Sequence, residues 1–238
     1  MTTTSPFENR HTPESISDGR NHNARRMTLF MGTAVVLLLA VPPLLRAVPP
    51  VLAWRQYQPQ EGDILFQSLP RNEIVNAIEG ATGSPWSHCG LVAKDDGRWV
   101  VYEAIGEVRK TPLDEFYRRG RDWQFAAYRF KGDDAADIPR VIERARGYLG
   151  RPYDTRYRMD DESIYCSELI YKAYRDATQG SLGKLVRLGD LKWRPYRQII
   201  ERLEGGPVPV EREMITPRDL ALAEPLSFVT GTVRPEKH

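Results

Sequence analysis

The 238-residue sequence has few of the residues on which most catalytic and metal sites depend. It contains two cysteines and four histidines, and His11, His22 and His238 lie near the chain ends, which leaves His88 inside the region predicted to fold. One histidine and two cysteines do not provide the ligand spacing of a metal site. Phosphate-cradling loops, nucleotide motifs and internal repeats are also missing. We therefore expect no metal and no other cofactor, and any imidazole chemistry must use His88.

The sequence also has no large excess of positive or negative charge. The chain has 34 basic and 32 acidic residues, and setting aside the six basic and three acidic residues of positions 1–60 leaves 28 and 29. A near-neutral domain does not favour nucleic-acid binding. The hydrophobic content of 41% and the charged content of 28% are ordinary for a globular protein, so we expect one folded domain.

The first 60 residues divide into three segments of contrasting composition. Residues 1–26 are polar and have no apolar period, which predicts a disordered tail. Residues 27–45 contain no charge over 19 positions, close to the roughly 20 residues that span a bilayer core of about 30 Å. Residues 46–60 carry three prolines and predict a stiff linker, with Trp54 and Tyr57 near the membrane interface.

The apolar run 27–45 has two interpretations. A cleaved secretory signal would have an unusually long polar segment before its apolar core, and Pro42 and Pro43 stand where its helix should end. We therefore favour an uncleaved signal anchor. Because Arg25 and Arg26 precede the run, the positive-inside rule keeps the tail cytoplasmic. This predicts a single-pass protein of the inner (cytoplasmic) membrane whose domain is periplasmic or extracytoplasmic.

The remainder predicts one α+β domain over residues 61–229 and a short tail, 230–238. Apolar alternation and turn signals predict strands, and apolar stripes of helical spacing predict helices, so the domain should be a mostly antiparallel sheet packed with helices. Strands are expected within 62–68, in a hairpin over 87–106, and at 107–113 and 123–130. Helices are expected within 72–83, 114–119, 137–150, 166–180 and 216–222.

The predicted hairpin places His88 next to Glu103. A two-residue turn at 95–96 sets them directly opposite, and a turn at 96–97 makes them diagonal neighbours on the same face. A three-residue turn without a bulge would separate them. A carboxylate beside an imidazole fixes its tautomer and stabilises its cation, as in nucleophile, base and orienter triads. Glu103 could otherwise be a solvated strand residue.

The two cysteines differ in their predicted surroundings. Cys89 follows His88 in a strand and points to the opposite face with apolar neighbours, which favours packing. Cys166 stands at a helix N-terminus, where the helix dipole and free N–H groups favour a thiolate and can stabilise an oxyanion. An even number of cysteines in an exported domain also permits a disulfide. The residues alone leave packed thiol, disulfide and nucleophile open for Cys166.

Several motifs resemble those of one enzyme family. The segment "YLGRPYDTRYRMDDESIYCSELIYKAY" at 148–174 is similar to the nucleophile segment of NlpC-type papain-like cysteine peptidases. His88 and Glu103 precede Cys166, an order that resembles the circularly permuted branch of YiiX, YebB and YaeF type. The motifs "GDILFQS", "ATGSPWSHCGLV", "VYEA", "VRKTPLDEF", "YCSELIYKAY", "LGDL" and "ITPRDL" follow in the same order, so the resemblance covers about residues 61–229.

The resemblance implies a permuted papain-like fold with Cys166 as nucleophile, His88 as base and Glu103 as orienting residue. Tyr153 matches the tyrosine of the Gly-x-Pro-Tyr stretch, whose hydroxyl can assist an oxyanion; the alternative role is a core or groove aromatic. Tyr165 stands where ordinary relatives have an aspartate, and we count it among the candidate substrate or oxyanion residues.

The activity that the resemblance implies is that of a papain-like cysteine amidase or hydrolase. It would cleave an amide or ester through a thioester on Cys166, in cell-wall peptides or in N-acyl or lipid amides. A lipid acyltransferase or thioesterase could use the same residues, and a non-catalytic binding domain could keep the fold. The expected partners are a small-molecule, peptide or lipid substrate and a membrane bound through the N-terminal helix.

Overall fold

The computed structural model describes residues 49–233, except for the side chains of residues 133 and 134. The expected tail 1–26 and the apolar run 27–45 lie outside these residues. Within 49–233, no helix is both long enough and apolar enough to cross a bilayer.

The described chain contains eight strands and seven α-helices, joined by several short 3-10 turns. The strands are β1 (Ile64–Gln67), β2 (His88–Asp95), β3 (Arg98–Ile105), β4 (Glu107–Pro112), β5 (Phe125–Phe130), β6 (Val186–Arg187), β7 (Glu213–Met214) and β8 (Leu226–Gly231). The helices are α1 (Pro50–Gln56), α2 (Glu73–Thr82), α3 (Leu113–Arg119), α4 (Ile138–Arg146), α5 (Cys166–Thr178), α6 (Arg197–Glu204) and α7 (Pro217–Ala221).

Six strands form one antiparallel sheet in the order β4-β3-β2-β1-β5-β8, and β6 pairs with β7 in a separate ribbon. Helix α5 packs on β2 and β3 at one face of this sheet, and α4 packs against α5. The buried side chains at this face include Cys89, Leu91, Leu169 and Ile170. The main core of the domain therefore lies between the sheet and α5.

Helices α1 and α3 cover the opposite face of the sheet. A second cluster of buried side chains lies there, and it includes Leu65, Val92, Val101, Phe116 and Phe125. Both faces of the sheet are therefore covered by helices, and the prediction of an α+β fold with a mostly antiparallel sheet is confirmed.

The β2–β3 hairpin turns at residues 96–97. Asp95 pairs with Arg98, and the two turn residues have φ of 48° and 75°, the left-handed values that a two-residue type I′ turn requires. Of the two turns considered from the sequence, the one at 95–96 is therefore wrong. The observed register makes His88 and Glu103 diagonal neighbours on the same face, as the turn at 96–97 predicts.

Helix α1 occupies part of the stretch expected to be a linker over 46–60. Ala53 and Tyr57 are buried against the sheet, and the Tyr57 hydroxyl donates to Asp63 Oδ2 at 2.8 Å. The prolines at its start do not prevent this helix, because Pro50 occupies its first position. Tyr57, which was expected near the membrane interface, is thus buried in the protein core.

Candidate active site

Helix α5 begins at Cys166, and the preceding chain fixes that start. The Ile164 N–H donates to the Pro152 carbonyl at 2.9 Å, which ties the chain before the helix to the Gly-x-Pro-Tyr stretch. The Tyr165 N–H donates to Glu168 Oε2 at 3.1 Å, so a first-turn carboxylate satisfies the backbone at the helix entry. The N–H groups of the first turn have no acceptor within the helix, and their dipoles favour an anion at Cys166.

His88 is the first residue of β2 and is 2% exposed. Its Nε2 lies 2.5 Å from Glu103 Oε2, and its ring also forms a hydrogen bond with the Cys166 side chain. Because Nε2 is engaged by the carboxylate, Nδ1 is the ring nitrogen left for the sulfur. Burial by itself would lower the pKa of His88, but the hydrogen bonds and negative charges of Cys166 and Glu103 raise it to about 9.

Glu103 is fully buried and accepts hydrogen bonds from three side chains: His88, Thr111 on β4 and Arg119 at the end of α3. Burial opposes its charge, yet the hydrogen bonds and positive charges of His88 and Arg119 lower the pKa of Glu103 to about 2. The carboxylate is therefore ionised and held in one orientation.

Glycine at position 90 allows α3 to approach the sheet closely. A Cβ at Gly90 would lie 2.3 Å from Val101 Cγ1 and 3.2 Å from Phe116 Cε2. Any larger residue would therefore have to displace β3 or α3 side chains. Because α3 carries Arg119, this close approach also brings the guanidinium within reach of Glu103.

Cys166 is 2% exposed and contacts both His88 and Cys89. The hydrogen bond from the Cys89 side chain has the largest effect and lowers the pKa of Cys166. Burial raises this pKa, whereas the hydrogen bond and positive charge of His88 lower it further. The balance lowers the pKa of Cys166 well below its usual range. With the pKa of His88 raised, the two groups form a thiolate and imidazolium pair near neutral pH.

Cys89 has more than the packing role expected from its strand position. It is fully buried, and both its thiol and its backbone N–H donate to the Cys166 sulfur. Burial and the neighbouring negative charge of Cys166 raise the pKa of Cys89 well above its usual range, so it remains a protonated donor. Neither cysteine is disulfide-bonded in this structure, so the disulfide considered from the sequence is not formed.

The two candidate tyrosines occupy different positions. Tyr153 is half-buried, its hydroxyl lies 3.4 Å from that of Tyr157, and burial, Tyr157 and the charge of Cys166 raise its pKa well above the usual range. It therefore keeps its hydroxyl proton and interacts electrostatically with Cys166. The Tyr165 hydroxyl accepts the Ile215 N–H at 3.0 Å and donates to Met159 Sδ at 3.0 Å, which leaves Tyr165 as a wall of the site rather than a free donor.

A pocket borders Cys166 and encloses about 800 Å³, counting the part open to solvent. Helices α2 and α6 supply much of its wall, and further aliphatic side chains come from the segments around β6 and β7. The apolar lining includes Ile74, Ala77, Ile78, Ala81, Leu188, Leu191, Ile199, Ile200, Leu203, Met214 and Ile215. Arg156, Glu204 and Arg212 are the charged residues of the lining. A mostly apolar lining with a few polar and charged groups is typical of sites that hold an apolar ligand.

Sequence reasoning missed several of these residues. Thr111 lies on the same face as Glu103 in the observed register of β3 and β4. A correct prediction of how these two strands pair would therefore have identified Thr111. Arg119 and Tyr157 reach the site from a helix end and a loop, and their sequence contexts give no such signal. Helix α6, one wall of the pocket, was not predicted at all.

The comparisons with known proteins concern the family and the fold. Residues 58–230 match the model of a family described as "Permuted papain-like amidase enzyme, YaeF/YiiX, C92 family". The chain belongs to this family. The resemblance stated from its motifs is thus confirmed, as is the permuted papain-like fold.

Two similar proteins come from Escherichia coli. The uncharacterized protein YiiX of strain K12 is 31% identical over 183 residues, which cover 76% of this chain and 89% of YiiX. The crystal structure of "metalloprotein yiiX" from strain O157:H7 is 30% identical, with a TM-score of 0.69, and the match covers 75% of this chain and all of that one. In residues 49–233 here, no group of three or more His, Cys, Asp or Glu side chains is placed to hold a metal ion.

Proposed function

We propose that this protein is a cysteine amidase that cleaves an amide or ester bond of an apolar acyl substrate through a thioester on Cys166. The observation that carries the proposal is the buried contact of Cys166, His88 and Glu103 beside an apolar pocket. A non-catalytic binding domain would have no need for an ionised carboxylate, a raised histidine pKa and a lowered cysteine pKa at one place.

In the first half of the reaction, the Cys166 thiolate attacks the carbonyl carbon, and the carbonyl oxygen becomes an oxyanion. The first-turn N–H groups of α5 and the Tyr153 hydroxyl are the donors available to that oxygen. His88 then gives its proton to the leaving amine or alcohol, and the bond to the leaving group breaks. Glu103 holds the imidazole in place and stabilises its cation.

In the second half, His88 as a neutral base takes a proton from water, and the hydroxide formed attacks the thioester carbon. The carbon–sulfur bond breaks, the carboxylic acid leaves and Cys166 returns as a thiolate beside protonated His88. If an acceptor alcohol or amine takes the place of water, the same steps transfer the acyl group instead. Product identity distinguishes hydrolysis from transfer.

The pocket favours N-acyl or lipid substrates over cell-wall peptides. Aliphatic side chains of α2 and α6 could remove an acyl chain from water, at roughly 0.8 kcal/mol for each buried methylene. A cell-wall peptide carries charged and amide groups that this lining could not satisfy with hydrogen bonds. At the charged part of the lining, Arg212 is paired with Glu204, and Arg156 offers a positive charge to a polar group of the substrate.

The test is to incubate the full chain with N-acyl amino acids of increasing chain length and with muropeptides, and to identify products by mass spectrometry. We expect cleavage of long-chain acyl amides and its loss in Cys166→Ala. Ala77→Trp, which fills the pocket, should raise KM for long acyl chains by about 10-fold or more and leave short chains little changed.

Asn76→Trp is the matched control, because Asn76 is exposed on the same helix and does not line the pocket. Cleavage of muropeptides in preference to acyl amides would contradict the substrate class. Cleavage that persists in Cys166→Ala would contradict the mechanism.

A further inference from the structure

A second apolar surface lies on the α1 side of the sheet. In α1, Ala53 faces the core, whereas Val51 is 36% exposed and Leu52 is 46% exposed. Trp123, on the turn after α3, is 49% exposed. We call Val51, Leu52, Trp54 and Trp123 the aromatic face.

The aromatic face is continuous because rings connect its parts. The Trp54 indole stacks on the Tyr117 ring, with centroids 4.0 Å apart and an interplanar angle of 1°. Tyr117 in turn lies 6.4 Å from Trp123, and α1 packs beside the turn that carries Trp123. Exposed aliphatic side chains and two indoles therefore form one patch supported by a rigid aromatic cluster.

The backbone of the turn adds a second observation. Asp122 and Trp123 have φ of 52° and 55°, the left-handed region that non-glycine residues rarely adopt, and a bulky residue there is strained. One of the two strained residues is thus a tryptophan, and its side chain is 49% exposed. This backbone conformation holds the Trp123 ring at the protein surface, beside α1.

The position of the patch in the chain indicates the partner. The uncharged run 27–45 ends six residues before Val51. The sequence predicts that this run spans a bilayer, and a connection of six residues, which extends at most about 20 Å, would then keep Val51 near the membrane surface. Tryptophan is enriched at the boundary between lipid and water, where its ring is apolar and its N–H remains near polar groups.

We propose that the aromatic face lies in the lipid–water interface of a bilayer and fixes the orientation of the domain on the membrane. Leu52 and Val51 enter the outer edge of the acyl region, and Trp54 and Trp123 lie at the level of the headgroups. This inference does not depend on the proposed catalytic activity.

The test uses the full chain in nanodiscs of phosphatidylcholine and phosphatidylglycerol whose acyl chains carry bromine, which quenches nearby tryptophan fluorescence. The chain has five tryptophans. We expect the double variant Trp54→Phe, Trp123→Phe to lose more than half of the bromolipid quenching. The control, Trp99→Phe, Trp193→Phe, removes two half-buried tryptophans elsewhere and should lose little.

Leu52→Gln provides a variant that keeps every tryptophan and changes one exposed side chain; it should also reduce the quenching. Equal loss in the two double variants, or failure of the full chain to associate with these lipids, would overturn the proposal. So would protection of Trp123 from aqueous acrylamide in the absence of lipid, since a protein segment or partner would then cover the face.

Discussion

At the scale of single residues, the Glu103 carboxylate on β3 links side chains of β4 and α3 to the His88 imidazole. Thr111 and Arg119 both donate to it, and Arg119 is 23% exposed whereas Glu103 is fully buried. Arg119 compensates the charge that Glu103 brings into the core. It therefore positions the carboxylate for His88 without contacting the reacting atoms.

The variant Glu103→Gln keeps the shape of the side chain and removes its charge. We expect kcat/KM to fall about 10²- to 10⁴-fold, because the imidazolium loses its stabilising partner. His88 is protonated below about pH 9 in the native protein, so the alkaline limb of the pH profile should move to lower pH in the variant. Glu115→Gln, in an exposed ion pair on α3, is the control; an unmoved limb in Glu103→Gln would contradict the role.

The variant Cys89→Ala removes the thiol that donates to the Cys166 sulfur. The pKa of Cys166 should rise, because its thiolate loses that hydrogen bond. Alkylation of Cys166 by iodoacetamide, followed by mass spectrometry against pH, measures this shift. Cys89→Ser retains a donor and should shift less; identical midpoints in all three proteins would show that Cys89 only packs.

At the scale of elements, α1 is attached to the sheet by a buried charge. Asp63, at the entry to β1, is fully buried and accepts from Arg129 at 2.7 and 2.8 Å, from the Tyr57 hydroxyl at 2.8 Å and from the Gln60 N–H at 2.9 Å. The segment between α1 and β1 is thus fixed by one carboxylate.

The variant Asp63→Ala should lower the free energy of unfolding by about 3 kcal/mol, because it leaves Arg129 and Tyr57 without their shared partner. Arg129 is 26% exposed, so water limits the cost. Urea denaturation measures the change. Asp114→Ala removes an exposed pair with Arg118 and should alter stability by less than about 1 kcal/mol; equal effects of the two substitutions would contradict the prediction.

At the scale of the whole molecule, the site couples stability to pH. The raised pKa of His88 stabilises the fold below about pH 6.5, and this contribution is lost as pH rises through about 9. The lowered pKa of Cys166 acts in the opposite direction, with stability lost as pH falls. The thiolate and imidazolium pair holds the same number of protons as a neutral thiol and imidazole. Near neutral pH, the fall in stability with rising pH due to His88 is therefore offset by the rise due to Cys166.

The acid range gives the clearer prediction. Glu103 has a folded pKa of about 2 against an ordinary value of 4.5, so its contribution is fully present above about pH 4.5 and is lost as pH falls toward 2. The difference in unfolding free energy between the native protein and Glu103→Gln should shrink over that range. Urea titrations at several pH values measure it; a constant difference would contradict the assigned pKa.

Much of the fold followed from local pattern. The hairpin, helix α5 and the capped start of α7 at Thr216 were predictable because each depends on nearby residues. Helix α1 was not, since its prolines suggested a linker and tertiary contacts with Asp63, the sheet and Tyr117 hold it in place. Helix α6 and the β6–β7 ribbon were missed because short elements gain their stability from tertiary packing.

By itself, the sequence determined that His88 and Glu103 share a face for a two-residue turn of either register, and that Cys166 starts a helix. Only the tertiary structure decided that Cys89 touches the nucleophile, that Arg119 and Thr111 hold Glu103, and that two helices enclose an apolar pocket. Apart from Thr111, which the β3–β4 register brings to Glu103, those contacts join separate elements, and the packing that brings them together is not encoded in any local spacing.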